Sequence, residues 1–442
     1  MNGRILVGLA AANLGLLFVA DENLSQVAAV LRGGSTVVHA RYAPVFAAVV
    51  GLLAWQLAPR RSWSWLLLAG ALCAVPRALR RLEGGSVPLR VGIEQWFDAA
   101  APVLTLIGIL GAATLGWRAG HRGAAAALVG MAAALPLLPA ALLHSYSPWF
   151  SVDLQPLLVA VCTGVGLLAS VAAAVAVFVR TPPECPSPAW RVTLAGCLAA
   201  AAPLVTRIWE PLPPTRLPED AILYRSLTFA ALGLVAGVIA GRRVLLAATA
   251  VGLSLGIFGL AFLFALIVVF QTPALAALVL VVGVAAGVLL ALPARRAAVG
   301  LAALVLVAAG LTVLFFQVDV VGAFATPTET MVAWLTPVLF PLAIVAAVTV
   351  AGAAGTALAD RSATPAALAG LATPFALLAL AVITLRWELQ ADARAQPPDI
   401  LLLGVAGLGI AALALLGLTV AGRRPTLEAP RDEPDQQPAA VS

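Results

Sequence analysis

Lysine is absent from this 442-residue chain, so all 26 of its basic residues are arginine. Charge of either sign is scarce: 10% of residues are charged, against roughly 25% in a soluble domain. The four cysteines (Cys73, Cys162, Cys185, Cys197) and three histidines (His39, His121, His144) are scattered, with no C-x-x-C and no Cys/His cluster. That pattern suggests neither a disulfide framework nor a metal site. The chain also lacks a glycine-rich phosphate loop, a Gly-x-Ser-x-Gly elbow and a His-Glu-x-x-His helix. The signatures of ATPases, serine hydrolases and zinc proteases are therefore missing. No cofactor or metal is expected, and the leading expectation is a protein that is not an enzyme.

What is present is apolar. Hydrophobic residues make up 62% of the chain and its mean hydropathy is +1.03. A single soluble core does not enclose so much apolar surface, so lipid must be the solvent for most of it. The net charge of +6 does not indicate a nucleic-acid partner. The arginines stand singly or in pairs between apolar runs instead of forming a basic face, and they read as topology signals. All-arginine basicity with abundant Ala, Gly, Val and Leu points to a GC-rich bacterial genome, and hence to a bacterial cytoplasmic membrane.

A helix that crosses the bilayer needs about 20 mostly apolar residues. Such runs occur at 5–20, 42–58, 63–80, 98–117, 124–143, 154–179, 190–207, 222–241, 244–270, 274–293, 297–317, 331–354, 365–385 and 399–421. The expected fold is an all-α, polytopic transmembrane helix bundle of about fourteen spans. The run 63–80 is the weakest of the set, because Arg77 and Arg80 lie near its end. The first run resembles a signal peptide, but Asp21 and Glu22 follow it instead of a small-residue cleavage site, so it reads as a retained first span.

Alternate connections carry the arginine pairs Arg60-Arg61, Arg242-Arg243, Arg295-Arg296 and Arg423-Arg424. By the positive-inside rule these connections are cytoplasmic, as are both termini. Trp63, Trp96, Trp117, Trp149, Trp190, Trp209 and Trp387 fall near span ends, where amphipathic rings prefer to sit. The expected organisation is a first six-helix bundle over 1–180 and a proline-rich cytoplasmic linker over 181–189. A second bundle of about eight helices follows over 190–422, with a polar tail over 423–442 expected to be disordered.

Charges close to the bilayer are costly and mark candidate functional positions. The groups are Asp21 and Glu22 after the first span; Arg90, Glu94 and Asp98 entering the fourth; Arg207 with Glu210; and Arg386 with Glu388. Arg90, Glu94 and Asp98, at four-residue spacing, would share one helix face. If these groups converge on an outer vestibule they would bind a polar substrate or relay a proton. The competing reading is that they are interfacial residues pairing locally or reaching into headgroups. Pro136, Pro139, Pro203, Pro337, Pro341 and Pro374 lie within the apolar runs, where proline kinks a helix.

The connection Gly355-Thr-Ala-Leu-Ala-Asp360-Arg361 resembles the cytoplasmic loop motif of the major facilitator superfamily, and Gly241-Arg242-Arg243 resembles the end of the same motif. The helix number and the inner arginine turns are similar to the fourteen-helix drug:proton antiporter branch. The resemblance implies a secondary transporter of hydrophobic or amphipathic small molecules or lipids, with protons as the coupling ion. It also implies that Gly355, Asp360, Arg361, Arg242 and Arg243 form a conformational inner-loop motif. Two other readings stay open. One is a non-catalytic envelope-assembly or accessory membrane protein, in which all the charges are structural. The other is a glycosyltransferase using a lipid-linked donor, for which Asp21-Glu22 after the first span is the matching feature.

Overall fold

The computed structural model describes residues 2–19, 42–82, 93–134, 154–180, 189–205, 218–253 and 364–391, together with isolated positions at 256, 410, 411, 413 and 414. Helix is the regular structure throughout the described residues. The helices are α1 (Gly3–Ala11), α2 (Leu14–Phe18), α3 (Ala43–Leu57), α4 (Ser62–Leu82), α5 (Ile93–Arg118), α6 (Arg122–Ala134), α7 (Leu154–Val179), α8 (Trp190–Ala200), α9 (Ala202–Val205), α10 (Pro218–Ala240) and α11 (Pro365–Ala391). A further helical segment covers 242–253. Three of the helices, over Ser62–Leu82, Trp96–Arg118 and Pro156–Val179, are long and apolar enough to cross a membrane. The chain is a polytopic bundle of membrane helices. The expected runs at 274–293, 297–317 and 331–354 lie outside the described residues.

Two expectations change in detail. The first run is not one helix but α1 and α2, broken at Ala12 and Asn13. The break coincides with a polar residue that bonds backwards: the Asn13 side-chain amide donates to the carbonyl of Leu9 at 3.0 Å. The run rated weakest becomes α4, whose 21 residues continue through Pro76, Arg77 and Arg80. Arginines near a helix end do not stop a span when a neighbouring helix supplies their partners.

α5 is the central element. Of its apolar window 78% is buried inside the bundle, against 39% for α7. α7 turns Leu157, Val161, Val165, Leu168, Val171, Val175 and Phe178 outward. That stripe carries no hydrophobic penalty, because lipid chains are as apolar as leucine; close packing and hydrogen bonds must hold such helices together. Small residues supply the close packing. A Cβ on Gly51 would meet Ile107, one on Gly70 would meet Thr105, one on Gly108 would meet Leu67, and one on Gly111 would meet Trp55 and Trp63. Gly116 likewise lies against Val7 of α1. Trp63 and Trp117 sit at helix ends as expected, but both are enclosed by the bundle, whereas Trp190 is exposed.

The two ends of the bundle differ in charge: the described acids are confined to one of them. Gly3 at the start of α1 meets Ala119 and His121 in the α5–α6 turn, and Gly166 of α7 meets Leu16. α5 and α7 therefore run antiparallel to the first span. The same logic, through Gln56 with Thr193 and Gly196 with Ala367, puts the starts of α8 and α11 beside the end of α3. One face of the bundle thus collects Arg4, Arg60, Arg61, Arg118, Arg122, Arg180, Arg191, Arg242 and Arg243. The described acidic residues, Glu94, Asp98, Glu219, Asp220 and Glu388, lie at the opposite end. Two of the arginine-rich turns are made by glycines that adopt positive φ, Gly120 at 88° and Gly241 at 108°, a conformation that glycine takes without a Cβ clash.

Candidate functional site

The charged site is built by the α4–α5 hairpin. α4 ends on Arg77 and Arg80, three residues apart, and α5 begins with Glu94 and Asp98, four apart. On a helix such residues lie on one face. Packing fixes the register of the two antiparallel helices: Trp63 opposite Gly111, Leu67 opposite Gly108, Gly70 opposite Thr105. Continued along the hairpin, that register brings Arg77 opposite Asp98 and Arg80 opposite Glu94. The Arg77 Nη1 to Asp98 Oδ1 distance is 3.5 Å, with the two side chains 10% and 6% exposed. Arg80 pairs with Glu94 one turn further out, where the side chains are 22% and 36% exposed. The result is a ladder of two ion pairs, graded from buried to half-buried.

The electrostatics of the two rungs differ. Taking a carboxylate and a guanidinium out of water is expensive, and only their mutual proximity makes burial tolerable. Arg77 and Asp98 are therefore held as a pair, while Arg80 and Glu94 keep contact with solvent or headgroups. Pro76 precedes Arg77, and Pro102 stands four residues after Asp98. Each proline removes a helical hydrogen-bond donor, so the inner rung lies where both helices are locally weakened.

The structure brings Glu94 and Asp98 together with Arg77, a charge that sits deeper in its apolar run, and with Arg80, which was not among the candidate charges. Their signal was available in principle, as the spacing of charges on two consecutive antiparallel spans, but reading it requires the register. Asp21, Glu22, Arg90, Arg207, Glu210, Gly355, Asp360 and Arg361 lie outside the described residues. Arg386 and Glu388 fall on the last turns of α11. Arg242 and Arg243 are exposed, immediately after the Gly241 turn.

Two neutral polar pairs complete the interior. Ser170 of α7 donates to the Asn13 side-chain oxygen at 2.8 Å, tying the break in the first span to α7. Thr193 of α8 donates to the Gln56 side-chain oxygen of α3 at 2.6 Å. Buried polar groups of this kind require partners, and here each pair joins different helices. Among the described residues the only buried charges are Arg77 and Asp98.

This is the architecture of a polytopic bundle of membrane helices, with no water-soluble domain among its described parts and with the buried charge of the described residues confined to one hairpin. Among solved structures the chain is similar to the partially occluded inward-open form of the xylose transporter XylE from E. coli, at 12% identity and a TM-score of 0.52, covering 94% of this chain and 99% of that one. It is also similar to the E. coli fucose:proton symporter FucP, at 12% identity, 95% and 99% coverage and a TM-score of 0.49. A third neighbour is the major facilitator superfamily proton:xylose symporter XylE bound to 6-bromo-6-deoxy-D-glucose, at 12% identity, 94% and 96% coverage and a TM-score of 0.48. No protein-family model matches the sequence, and no curated protein matches it. The likeness to the occluded transporter, over nearly the full length of both chains, establishes the fold.

Proposed function

We propose that the chain is a proton-coupled secondary transporter of small hydrophobic or amphipathic solutes in a bacterial cytoplasmic membrane, with its arginine-rich face and both termini inside. The observation that carries this reading is the buried Arg77–Asp98 pair within a transporter fold. A carboxylate held in the membrane by a single arginine changes the charge balance of its hairpin when it gains a proton, and intramembrane acids of this kind serve proton relays. Glu94, at the half-exposed outer rung, is the entry for protons, and Asp98 is the deeper acceptor. The solute class follows from the interior: apart from this pair, the buried polar groups of the described helices are small hydroxyls and amides. They suit a ligand of low polarity. Asp21, Glu22, Arg90, Arg207, Glu210, Arg386 and Glu388 belong to the same outer vestibule in this reading. Gly355, Asp360, Arg361, Arg242 and Arg243 form the inner conformational turns.

The test uses the full chain in proteoliposomes with a pH dye trapped inside. Adding a substrate from a panel of lipophilic cations and neutral amphiphiles should move protons in the wild-type protein, and not in Asp98→Asn. Solute movement that is equal in wild type and Asp98→Asn, with no pH change in either, would remove Asp98 from the pathway. Movement of no compound by correctly inserted protein would favour the accessory reading, in which the ladder is structural.

A further inference from the structure

The hydrogen bond between Thr193 and Gln56 has a setting unlike that of the other polar pairs. It joins α3 to α8 at the arginine-rich end: Gln56 lies one turn before Arg60 and Arg61, and Thr193 two residues after Arg191. Both side chains are buried, at 5% and 1% exposed. One turn deeper, Leu52 of α3 fills the place where α8 and α11 cross. There the backbones of Gly196 and Gly370 come together, and a Cβ on either glycine would meet the Leu52 side chain at 3.5 and 3.2 Å. α3 precedes the proline-rich segment over 181–189, whereas α8 and α11 follow it. The junction therefore joins the earlier helices to the later ones.

We propose that Gln56 and Thr193 form a reversible latch that closes the arginine-rich end of the bundle, with Leu52 as the plug beneath it. This rests on the transporter reading, since a carrier must open and close each end in turn. The chemistry suits reversibility. In the closed state the Thr193 hydroxyl donates to the Gln56 amide oxygen within a buried seam. When the seam opens, water replaces both partners at little cost, as it would not for an apolar pair. A buried ion pair would hold too firmly, because leaving either charge alone is heavily penalised. Gly196 and Gly370 leave a smooth crossing over which α8 and α11 can part from Leu52 without dragging side chains. The ladder of α4 and α5 has the opposite character, being two consecutive helices locked in one register. The latch is thus the moving contact and the ladder is a fixed one.

The experiment measures the end-to-end distance directly and needs no solute. Spin labels are placed at Arg61→Cys and Arg191→Cys, both exposed positions, in full-length protein whose native cysteines are replaced, reconstituted in lipid nanodiscs. Pulsed electron resonance should report two distance populations. Thr193→Val should raise the longer one about threefold relative to the shorter, the equilibrium equivalent of an average interhelical hydrogen bond in a membrane. Thr193→Ser, which keeps the hydroxyl, should leave the ratio unchanged. In a second construction, fluorophores attached by a non-thiol chemistry at positions 61 and 191 report on a Gln56→Cys/Thr193→Cys pair. Oxidation should leave the short distance alone, and reduction should restore both. A single distance that neither Thr193→Val nor the cross-link alters overturns the latch, as does failure of the cysteine pair to oxidise. Because the readout is a distance, a latch that behaves as expected in a protein that moves no solute would refute the transport reading and leave the latch standing.

Discussion

Removing one charge from the Arg77–Asp98 pair and removing both are different experiments. Asp98→Asn leaves a buried guanidinium without its counter-ion, and breaking a buried pair in this way costs about 3 kcal/mol or more. Thermal unfolding of the detergent-solubilised protein should show a clear fall in midpoint for Asp98→Asn. The double variant Arg77→Leu/Asp98→Leu should recover most of it, since apolar replacements of a buried pair are often neutral. Equal losses in the single and double variants would mean that the pair is not an energetic unit. Glu94→Gln should cost less stability than Asp98→Asn, because the Arg80 and Glu94 side chains are 22% and 36% exposed and solvent screens their pair more than the inner one. At this scale the sequence was only partly legible. Glu94 and Asp98 stood out as acids entering a span, but Arg90 was their expected companion. The partners that the structure supplies, Arg77 and Arg80, had counted as a weakness of the preceding span. Sequence spacing reports which residues share a helix face; it does not report which face of the next helix is opposite.

Between elements, glycine and hydroxyl positions decide the packing. A Cβ at Gly70 would lie 2.3 Å from Thr105 Oγ1 and 2.9 Å from the Thr105 backbone nitrogen, and the backbone cannot retreat. Gly70→Ala should therefore destabilise the α4–α5 hairpin by about 1 to 3 kcal/mol, read as a lower unfolding midpoint. Gly8→Ala should be neutral or slightly stabilising, because nothing lies within 4 Å of its Cβ position and alanine favours the helix. The break between α1 and α2 makes a different prediction. A double-mutant cycle with Asn13→Ala and Ser170→Ala should give a coupling of about 0.6 kcal/mol, with about 1.7 as the upper end for such bonds in membranes. The helices themselves were legible because a run of apolar residues in lipid has few alternatives to helix. The break at Asn13 was not legible: one polar residue in an apolar run does not announce whether it bonds to its own helix or to a distant one such as α7.

For the whole molecule, the sorting of charge between the two ends is the feature that sequence and structure share. The arginine pairs beside span ends lead, through the antiparallel packing, to one face that holds nine of the fourteen described arginines and none of the described acids, while the acids gather at the other end together with Arg77, Arg80, Arg81, Arg225 and Arg386. The asymmetry sets orientation, and in intact bacterial cells single cysteines at Arg61 and Arg180 should be protected from a membrane-impermeant thiol reagent until the cells are opened. Labelling of either from outside would invert the topology and move the Arg77–Asp98 rung to the cytoplasmic side. The all-α membrane bundle could be argued from composition and the long apolar runs. The solute is less legible, since apolar side chains that face a ligand, a neighbouring helix or lipid have the same composition.

The central claim, that this bundle uses a proton gradient to move a small solute, is tested most directly by accumulation. The full chain in sealed proteoliposomes, given an inward-acid pH gradient and a tracer from the amphiphile panel, should concentrate the tracer above its equilibrium level. A protonophore should collapse that level to the one seen in protein-free vesicles. Tracer levels that match protein-free vesicles with the gradient intact, for every compound and with insertion verified, would contradict the account.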